Sequence, residues 1–332
     1  MAKNYTTMQD VANLAGVSKT TVSRYLNGHY ERMSNETKAK IAKVIKKTGY
    51  HVNSQAQALT QHHSHLIGLI VADIENIFSS ILFKGADQIV DDAGYSIMLM
   101  NANNSLQLER KQLERLINLR VDGIIIQPVS RNASDYSLLQ KTGIPVVIAD
   151  RKLTPPIWPE VITDNYSYSK MLINYVIRQQ YKRVIVLTED VHANSAREER
   201  YQGVIDACQN SSVEVELLEI TEDISTNKLY EQLSKLKAWD TQTTIYALKG
   251  TLLTKLMNTL NEYLVLVPKQ VGVVAFDDWD WARLMSPQIT TIQQDPKTMG
   301  REAGKLIINK INGKTIPQKS TVDSAFMVRH SL

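Results

Sequence analysis

Residues 8–28 read MQDVANLAGVSKTTVSRYLNG, and this stretch predicts two short helices joined by a tight turn. Thr7 stands where it can cap the first helix, whose apolar residues recur at helical spacing. Gly16 then lets the chain turn, and Ser18 can cap the second helix. Two helices joined in this way are typical of a helix-turn-helix unit.

A third helix is predicted after Ser34, with Ile41, Val44 and Ile45 facing inward and lysines facing outward up to Gly49. Residues 1–52 are therefore expected to form an all-α head of three helices.

The second helix presents small polar groups and cations on the face opposite Val22 and Leu26. Such a helix fits the major groove of DNA, where hydroxyl groups read base edges and arginine pairs with guanine. The expected base contacts come from Lys19, Thr20 and Arg24. Phosphate contacts, which carry little sequence information, are expected from Thr7, Ser18, Ser23 and Asn27. Thr21 and Tyr50 complete the DNA-binding set of the head. The alternative is a basic bundle with a merely solvated charged face.

The positive charge of the chain is concentrated in its first part. Residues 1–65 hold nine basic and three acidic side chains, whereas the remainder holds 29 basic and 31 acidic ones. The single cysteine, Cys208, cannot form an internal disulfide bond or a cysteine metal cluster, which argues against a disulfide-stapled secreted protein. The sequence shows no signal peptide and no apolar run of about 18 residues. A soluble, cytoplasmic protein is therefore expected.

From residue 66 onward, short apolar runs alternate with amphipathic helical patterns. Strands are predicted at residues 66–71, 96–100, 123–127, 145–149, 184–187, 213–218, 244–247 and 271–276. Helices are predicted near residues 78–93, 106–119, 168–180, 194–209, 227–236 and 252–263. This alternation is typical of α/β folds with parallel sheets, and its length predicts two doubly wound lobes.

Charged residues follow several of the predicted strands. Asp150 and Arg151 follow VVIA, Lys249 follows IYAL, and Asp277 follows VVAF, while Arg200 lies in a predicted helix. Ligands of such sheets bind beyond the carboxyl ends of the strands, so we expect these side chains to line a cleft between the lobes. Each could instead be an ordinary exposed charge or part of a salt bridge between the lobes.

The stretch 8–28 resembles the DNA-binding head of the lac and galactose repressor (LacI/GalR) family of bacterial regulators, and the resemblance covers essentially the whole chain. The family's DR, DN, R-x-x-G, YDD and TTI-x-Q segments are matched by Asp150-Arg151, Asp164-Asn165, Arg200 to Gly203, Phe276 to Asp278 and Thr290 to Gln294. The resemblance implies a periplasmic-binding-protein-like effector domain. It also implies that Arg200 and Asp277 bind hydroxyl or carboxylate groups of the effector.

The resemblance further implies a hinge helix over residues 53–59, which adds Asn53, Ala56, Gln57 and Leu59 to the DNA-binding set. Leu59 matches the leucine that wedges into the minor groove, and Ala56 matches the small residue that lets two hinge helices pack closely. So short a helix is expected to fold only when paired and bound to DNA. Val52 and Gln57 stand where the family usually has proline and arginine, which predicts a weaker charge contact in the groove.

Lys249 replaces a neutral residue found in most members of the family. An ammonium group at the edge of a ligand site favours an anion, so an acidic effector is expected. Sugar acids such as gluconate or keto-deoxy-gluconate come first, partly because a family subgroup that regulates keto-gluconate use looks similar around these segments. Phosphorylated sugars come second. Trp279 could form an apolar wall for a sugar face, or it could serve in packing.

The sequence thus predicts a homodimeric transcriptional regulator, expected to repress genes of carbohydrate or sugar-acid use, that binds a palindromic operator and responds to a small-molecule effector. The expected domains are the helix-turn-helix head at 1–52, the hinge and linker at 53–65, and the effector domain at 66–332. The effector domain is expected to divide into an N-lobe near 66–162 and a C-lobe near 163–289, with the chain crossing back near 290–320.

We expect no enzyme, because the sequence contains no glycine-rich phosphate loop, no GxSxG elbow and no HExxH motif. No cofactor and no metal site is expected; the histidines at 62, 63 and 65 are interpreted as part of a solvated linker. The alternatives are a solute-binding protein or an NAD-dependent α/β protein. The missing dinucleotide fingerprint and the basic head disfavour both.

Overall fold

The computed structural model describes residues 6–31, 33–50, 63–221, 223–239 and 242–332. The chain divides into two compact units, Met1–Ser64 and His65–Leu332, which are described in turn as the head and the body.

The head contains three helices, α1 (Met8–Ala15), α2 (Lys19–Leu26) and α3 (Asn35–Thr48). Each begins at the predicted cap: the side chains of Thr7, Ser18 and Ser34 accept backbone N–H groups of the first turns. Gly16 ends α1 with a φ of 66°, a left-handed conformation that glycine adopts without strain. Val11, Ala12, Val22 and Tyr50 form the small buried core of this unit. The three predicted helices of the head are therefore confirmed.

The body contains two six-stranded sheets covered by helices. The N-lobe sheet has the strand order β11-β5-β4-β3-β1-β2, and the C-lobe sheet has the order β12-β10-β9-β8-β6-β7. All neighbouring strands are parallel except β10 and β12. The prediction of two doubly wound lobes is confirmed.

The N-lobe strands are β1 (Leu66–Val71), β2 (Ser96–Asn101), β3 (Gly123–Ile126), β4 (Val146–Ala149), β5 (Glu160–Thr163) and β11 (Lys319–Val322). Its helices are α4 (Ile77–Asp92), α5 (Leu106–Asn118), α6 (Ser137–Gln140) and α12 (Pro296–Ile311).

The C-lobe strands are β6 (Arg183–Thr188), β7 (Glu214–Glu219), β8 (Thr243–Ala247), β9 (Gly272–Phe276), β10 (Thr290–Gln293) and β12 (Ala325–Met327). Its helices are α7 (Asn165–Arg178), α8 (Ser195–Cys208), α9 (Thr226–Lys235), α10 (Gly250–Glu262) and α11 (Asp280–Leu284).

The chain passes between the lobes three times. It leaves the N-lobe after β5, returns after β10 to form α12 and β11, and crosses again to add the antiparallel strand β12 to the C-lobe. Strands β5, β10, β11 and β12 were not predicted from the sequence, since runs of three or four residues carry little periodicity. Helix α12 was not predicted either. Three crossings place a cleft between the lobes.

None of the helices in the described residues is long and apolar enough to span a bilayer. The same residues contain no group of three or more histidine, cysteine, aspartate or glutamate side chains arranged to hold a metal ion. Cys208 is buried, and its burial raises the pKa of the thiol to about 11.

Candidate functional site

Helix α2 presents a polar face to solvent. Lys19, Thr20 and Arg24 are exposed, whereas Val22 on the opposite side is fully buried. Among the residues that the structure describes, none forms a hydrogen bond or an ion pair with these three side chains. The three predicted base contacts thus lie together on one exposed face, and their role in binding DNA stays a prediction.

Three of the four predicted phosphate contacts, Thr7, Ser18 and Asn27, lie at helix ends. The Thr7 hydroxyl donates to Oδ2 of Asp10 at 2.7 Å and accepts the Asp10 N–H at 3.2 Å. Oγ of Ser18 accepts the N–H of Thr21 at 3.1 Å and shares a 2.8 Å hydrogen bond with the Thr21 hydroxyl. These hydroxyls therefore define where α1 and α2 begin. Ser23 is half-buried and Asn27 is exposed on the same helix.

Among the described residues that were predicted to bind DNA, Tyr50 is the one that is buried. Its side chain is only 8% exposed and packs with Val11, Ala12 and Val22, because an aromatic ring at the end of α3 completes the small core. Burial raises the pKa of Tyr50. The predicted hinge contacts Asn53, Ala56, Gln57 and Leu59 lie outside the described residues.

A cavity of about 530 Å³, open solvent at its mouth included, lies between the lobes at the carboxyl ends of the strands. Five of the six predicted effector contacts line it: Asp150, Arg151, Arg200, Lys249 and Asp277. The strand-end rule anticipated this position for Asp150, Arg151, Lys249 and Asp277, and Arg200 joins them from helix α8. Their contact with an effector stays a prediction.

Asp150 stands on the N-lobe side, directly after β4. Its Oδ2 accepts a 2.8 Å hydrogen bond from Nε2 of Gln127 and lies 3.7 Å from Nε of Arg151. Burial raises the pKa of Asp150, and the Arg151 guanidinium opposes that shift. Gln127 also accepts the N–H of Ala72 at 3.0 Å, so the amide locks Asp150 to the end of β1.

Asp277 faces Asp150 from the C-lobe side of the cleft and lies directly after β9. Its Oδ2 accepts the N–H of Gly250, the first residue of α10, at 2.9 Å, and its Oδ1 accepts Nε2 of Gln294 at 2.5 Å. A carboxylate at the N-terminus of a helix is stabilised by the free N–H groups and the helix dipole. Both aspartates are therefore held rigidly at the cleft.

Arg200 is the most deeply placed cation of the cleft. It is 5% exposed, and its Nε and Nη1 donate to Oδ1 of Asn165 at 2.8 Å and to the carbonyl of Leu248 at 2.6 Å. Its guanidinium carbon lies 3.7 Å from the centre of the Phe276 ring. Among the described residues, no carboxylate lies within 4.0 Å of this guanidinium.

Lys249 lines the cleft but is not a lone ammonium group. Its Nζ pairs with Oε1 of Glu189, and the other oxygen of Glu189 pairs with Nη2 of Arg197. Nη1 of Arg197 also donates to the carbonyl of Asp190 at 3.2 Å. Lys249 was predicted as a cleft residue, but its pairing with Glu189 was not, because nothing in the local sequence pattern joins residues 189, 197 and 249.

Trp279 does not line the cavity. The indole is 7% exposed and packs in the apolar cluster of the N-lobe with Phe78 and Met299, and a Cβ added to Gly250 would lie 2.3 Å from its Nε1. Trp279 therefore does not form the apolar wall that was expected for a sugar. It has the alternative role, packing between the lobes.

A buried carboxyl group supports the loop beside Arg151. Glu109 is inaccessible to solvent and accepts the N–H of Val129 at 2.9 Å and the hydroxyl of Tyr136 at 2.8 Å. Burial raises the pKa of Glu109 to about 7. Nη1 of Arg151 donates to the carbonyl of Pro128 in the same loop at 3.2 Å.

Several residues of the cavity lining were not predicted from the sequence. Asp73, Gln127 and Gln294 follow strands β1, β3 and β10 and could have been found by the same strand-end rule; Asn194 and Arg197 lie at the start of α8. The remaining lining residues are Asn76, Phe78, Ser79, Asn104 and Ala196.

Comparison with known proteins identifies both units. Residues 7–53 match the family described as bacterial regulatory proteins of the lacI family, and residues 173–332 match the periplasmic binding protein-like domain. The HTH-type transcriptional regulator KdgR of Bacillus subtilis is 36% identical over 99% of this chain and 98% of its own length.

Solved structures agree with this result. A LacI transcriptional regulator from Lactobacillus brevis has a TM-score of 0.72 at 30% identity, covering 79% of this chain and all of that one. The lac repressor dimer bound to operator and the anti-inducer ONPF has a TM-score of 0.85 over 99% of both chains; at 18% identity, this likeness shows the fold.

These findings confirm the resemblance to the LacI/GalR family and the absence of enzymatic function, since the family consists of transcriptional regulators. The effector domain is of the periplasmic binding protein-like type. The chain is therefore a member of the LacI family of bacterial DNA-binding transcriptional regulators.

Proposed function

We propose that this regulator is a cytoplasmic, homodimeric repressor of sugar-acid use, which binds a palindromic operator and is released by an acidic sugar derivative. Sugar monocarboxylates such as keto-deoxy-gluconate and gluconate are the preferred effectors, and phosphorylated sugars come second. In this proposal the two heads read the major groove, and Leu59 of each hinge segment enters the minor groove.

The proposal that the effector is an anion rests on Arg200. It lines the cavity, is almost fully buried, and donates to two neutral acceptors. A buried cation is costly unless an anion compensates it. Because no described carboxylate pairs with Arg200, the carboxylate of a bound effector is the group that fits there, through charge-assisted hydrogen bonds.

The two sides of the cleft differ in charge, which supports an orientation for the ligand. The C-lobe side carries Arg197, Arg200 and Lys249 against Asp277, whereas the N-lobe side carries Asp73 and Asp150 against Arg151. An acid group is therefore favoured toward the C-lobe, and hydroxyl groups that donate to carboxylates are favoured toward the N-lobe.

Binding is coupled to DNA through the two lobes. In this proposal the effector stabilises one arrangement of the lobes and thereby changes whether two hinge segments can pair on the operator. Such coupling is typically about 1–3 kcal/mol and is reciprocal, so operator DNA must weaken effector binding as much as effector weakens operator binding.

A calorimetric panel tests the proposal. The purified protein is titrated with keto-deoxy-gluconate, gluconate, glucose 6-phosphate and glucose, and each compound is then added to a gel-shift assay with DNA selected from a random library. We expect a sugar monocarboxylate to bind best and to release the DNA. Arg200→Gln should weaken that binding about 10- to 100-fold, since a charged hydrogen bond is worth about 1.5–3 kcal/mol. Exposed Arg115→Gln is the control and should bind as wild type. Glucose binding best, unaffected by Arg200→Gln, would refute the acidic effector.

A further inference from the structure

On the C-lobe side of the cleft, an anionic side chain, Glu189, pairs with cations that line the cavity but does not line it itself. Glu189 follows β6, its side chain is 13% exposed, and each of its oxygens pairs with a different cation, Lys249 and Arg197. Both cations line the cavity, whereas Glu189 does not. The carboxylate thus keeps two like-charged groups together in a poorly solvated wall.

Glu189 also determines the charge of that wall. Arg197, Arg200 and Lys249 contribute three positive charges, and Asp277 and Glu189 contribute two negative ones. Among these described side chains the balance is a single positive charge, which one carboxylate neutralises. A second negative charge on the ligand would meet no further uncompensated cation on this side, and an unpaired charge in a buried site is costly.

We propose that Glu189 is a specificity-determining residue, which makes the cleft select a sugar monocarboxylate over a dianion such as a phosphorylated sugar acid or a dicarboxylate. The inference rests on the proposed function of the cleft as the site of an acidic effector.

Glu189→Gln tests it, because the amide keeps the shape of the side chain and removes its charge. Two pairs of probes are titrated by calorimetry: gluconate with glucarate, and keto-deoxy-gluconate with its 6-phosphate. Glucitol serves as the neutral probe. Removing the Glu189 charge removes its repulsion of every negative charge on the ligand, and that repulsion falls with distance. The affinity should therefore rise about 10-fold for monocarboxylates and by a larger factor, up to about 100-fold, for dianions. Binding of glucitol should not change.

Matched variants separate charge from structure. Glu214→Gln neutralises an exposed carboxylate at the first residue of β7, at the end of the sheet away from Glu189. This control variant should keep every wild-type affinity. Lys249→Gln lowers the wall charge by one and should weaken dianions more than monocarboxylates. If thermal melting shows that Glu189→Gln does not fold, Lys249→Gln tests the inference on its own.

Three outcomes would overturn the inference. If Glu189→Gln weakens acids and glucitol alike, Glu189 is only structural. If wild type binds a monocarboxylate and the dianion-to-monocarboxylate ratio stays constant in both charge variants, the inference fails while the acidic effector stands. If wild type binds glucitol and no acid, the proposed function fails together with the inference.

Discussion

Two aspartates of the cleft occupy a backbone conformation that few residues adopt. Asp150 has a φ of 68° and Asp277 a φ of 79°, each directly after a buried parallel strand. Left-handed geometry costs a residue with a Cβ roughly 1–2 kcal/mol, although aspartate tolerates it better than most. Such strain clusters at functional sites, and here it coincides with the two carboxylates that face the ligand cavity from opposite lobes.

Arg24 permits a prediction at the same scale. Arg24→Ala should reduce the preference for a selected DNA sequence over random competitor by roughly 10- to 100-fold, because a paired arginine–guanine contact contributes about 1–3 kcal/mol of discrimination. Competition gel shifts measure this ratio, and Lys43→Ala, which removes an exposed cation of α3, is the control. A uniform loss of affinity for every sequence would instead make Arg24 a phosphate contact.

At the scale of elements, the returning helix α12 is joined to α4 through glycines. A Cβ added to Gly300 would lie 2.0 Å from the carbonyl oxygen of Leu82, and one added to Gly85 would lie 2.1 Å from that of Lys297. The two backbones approach so closely that no side chain fits between them. This contact anchors the segment that comes back from the C-lobe onto the N-lobe.

Gly300→Ala should therefore destabilise the body. Because the nearest atom is backbone rather than a flexible side chain, the helices must separate, and we expect the free energy of unfolding to fall by about 1–3 kcal/mol. Urea unfolding followed by circular dichroism measures the change. Lys84→Ala, at an exposed position of α4, should stay within about 0.5 kcal/mol of wild type. Equal stability of the two variants would contradict the close packing.

At the scale of the whole body, helix α8 connects the C-lobe to the N-lobe beside the cleft. Nη1 of Arg131 lies 2.6 Å from Oε2 of Glu198, and Nζ of Lys152 pairs with Oε1 of Glu199. The N–H of Lys152 also donates to Oγ of Ser195 at 2.7 Å. These contacts belong to the arrangement in which the lobes enclose the cavity.

Removing both ion pairs should loosen that arrangement. In the double variant Glu198→Gln, Glu199→Gln, we expect affinity for the sugar acid to fall about 3- to 10-fold, since partly exposed pairs contribute up to about 1 kcal/mol each. The loss should shrink as salt is added, because ions screen the wild-type pairs. Glu114→Gln on α5 is the exposed control. Calorimetry at two salt concentrations provides the measurement, and an unchanged affinity at low salt would contradict a role of these pairs in closure.

Local chemistry explains how much could be predicted from the sequence. The caps Thr7, Ser18 and Ser34 act on the next turn of chain, and strand–helix alternation reflects which faces are buried, so both are readable from short windows. The carboxyl ends of parallel strands meet at one edge, which is why Asp150, Lys249 and Asp277 were brought to the cleft correctly.

Tertiary structure decided what depends on partners distant along the chain. Only the fold pairs Glu189 with Lys249, packs Trp279 against the N-lobe instead of the ligand cavity, and buries Tyr50 in the head. The sequence by itself determined the three helices of the head, the alternation of the longer strands and helices of the body, and the position of charged groups at strand ends. Which charges are neutralised, and therefore what the cleft can bind, was decided by contacts that no local pattern records.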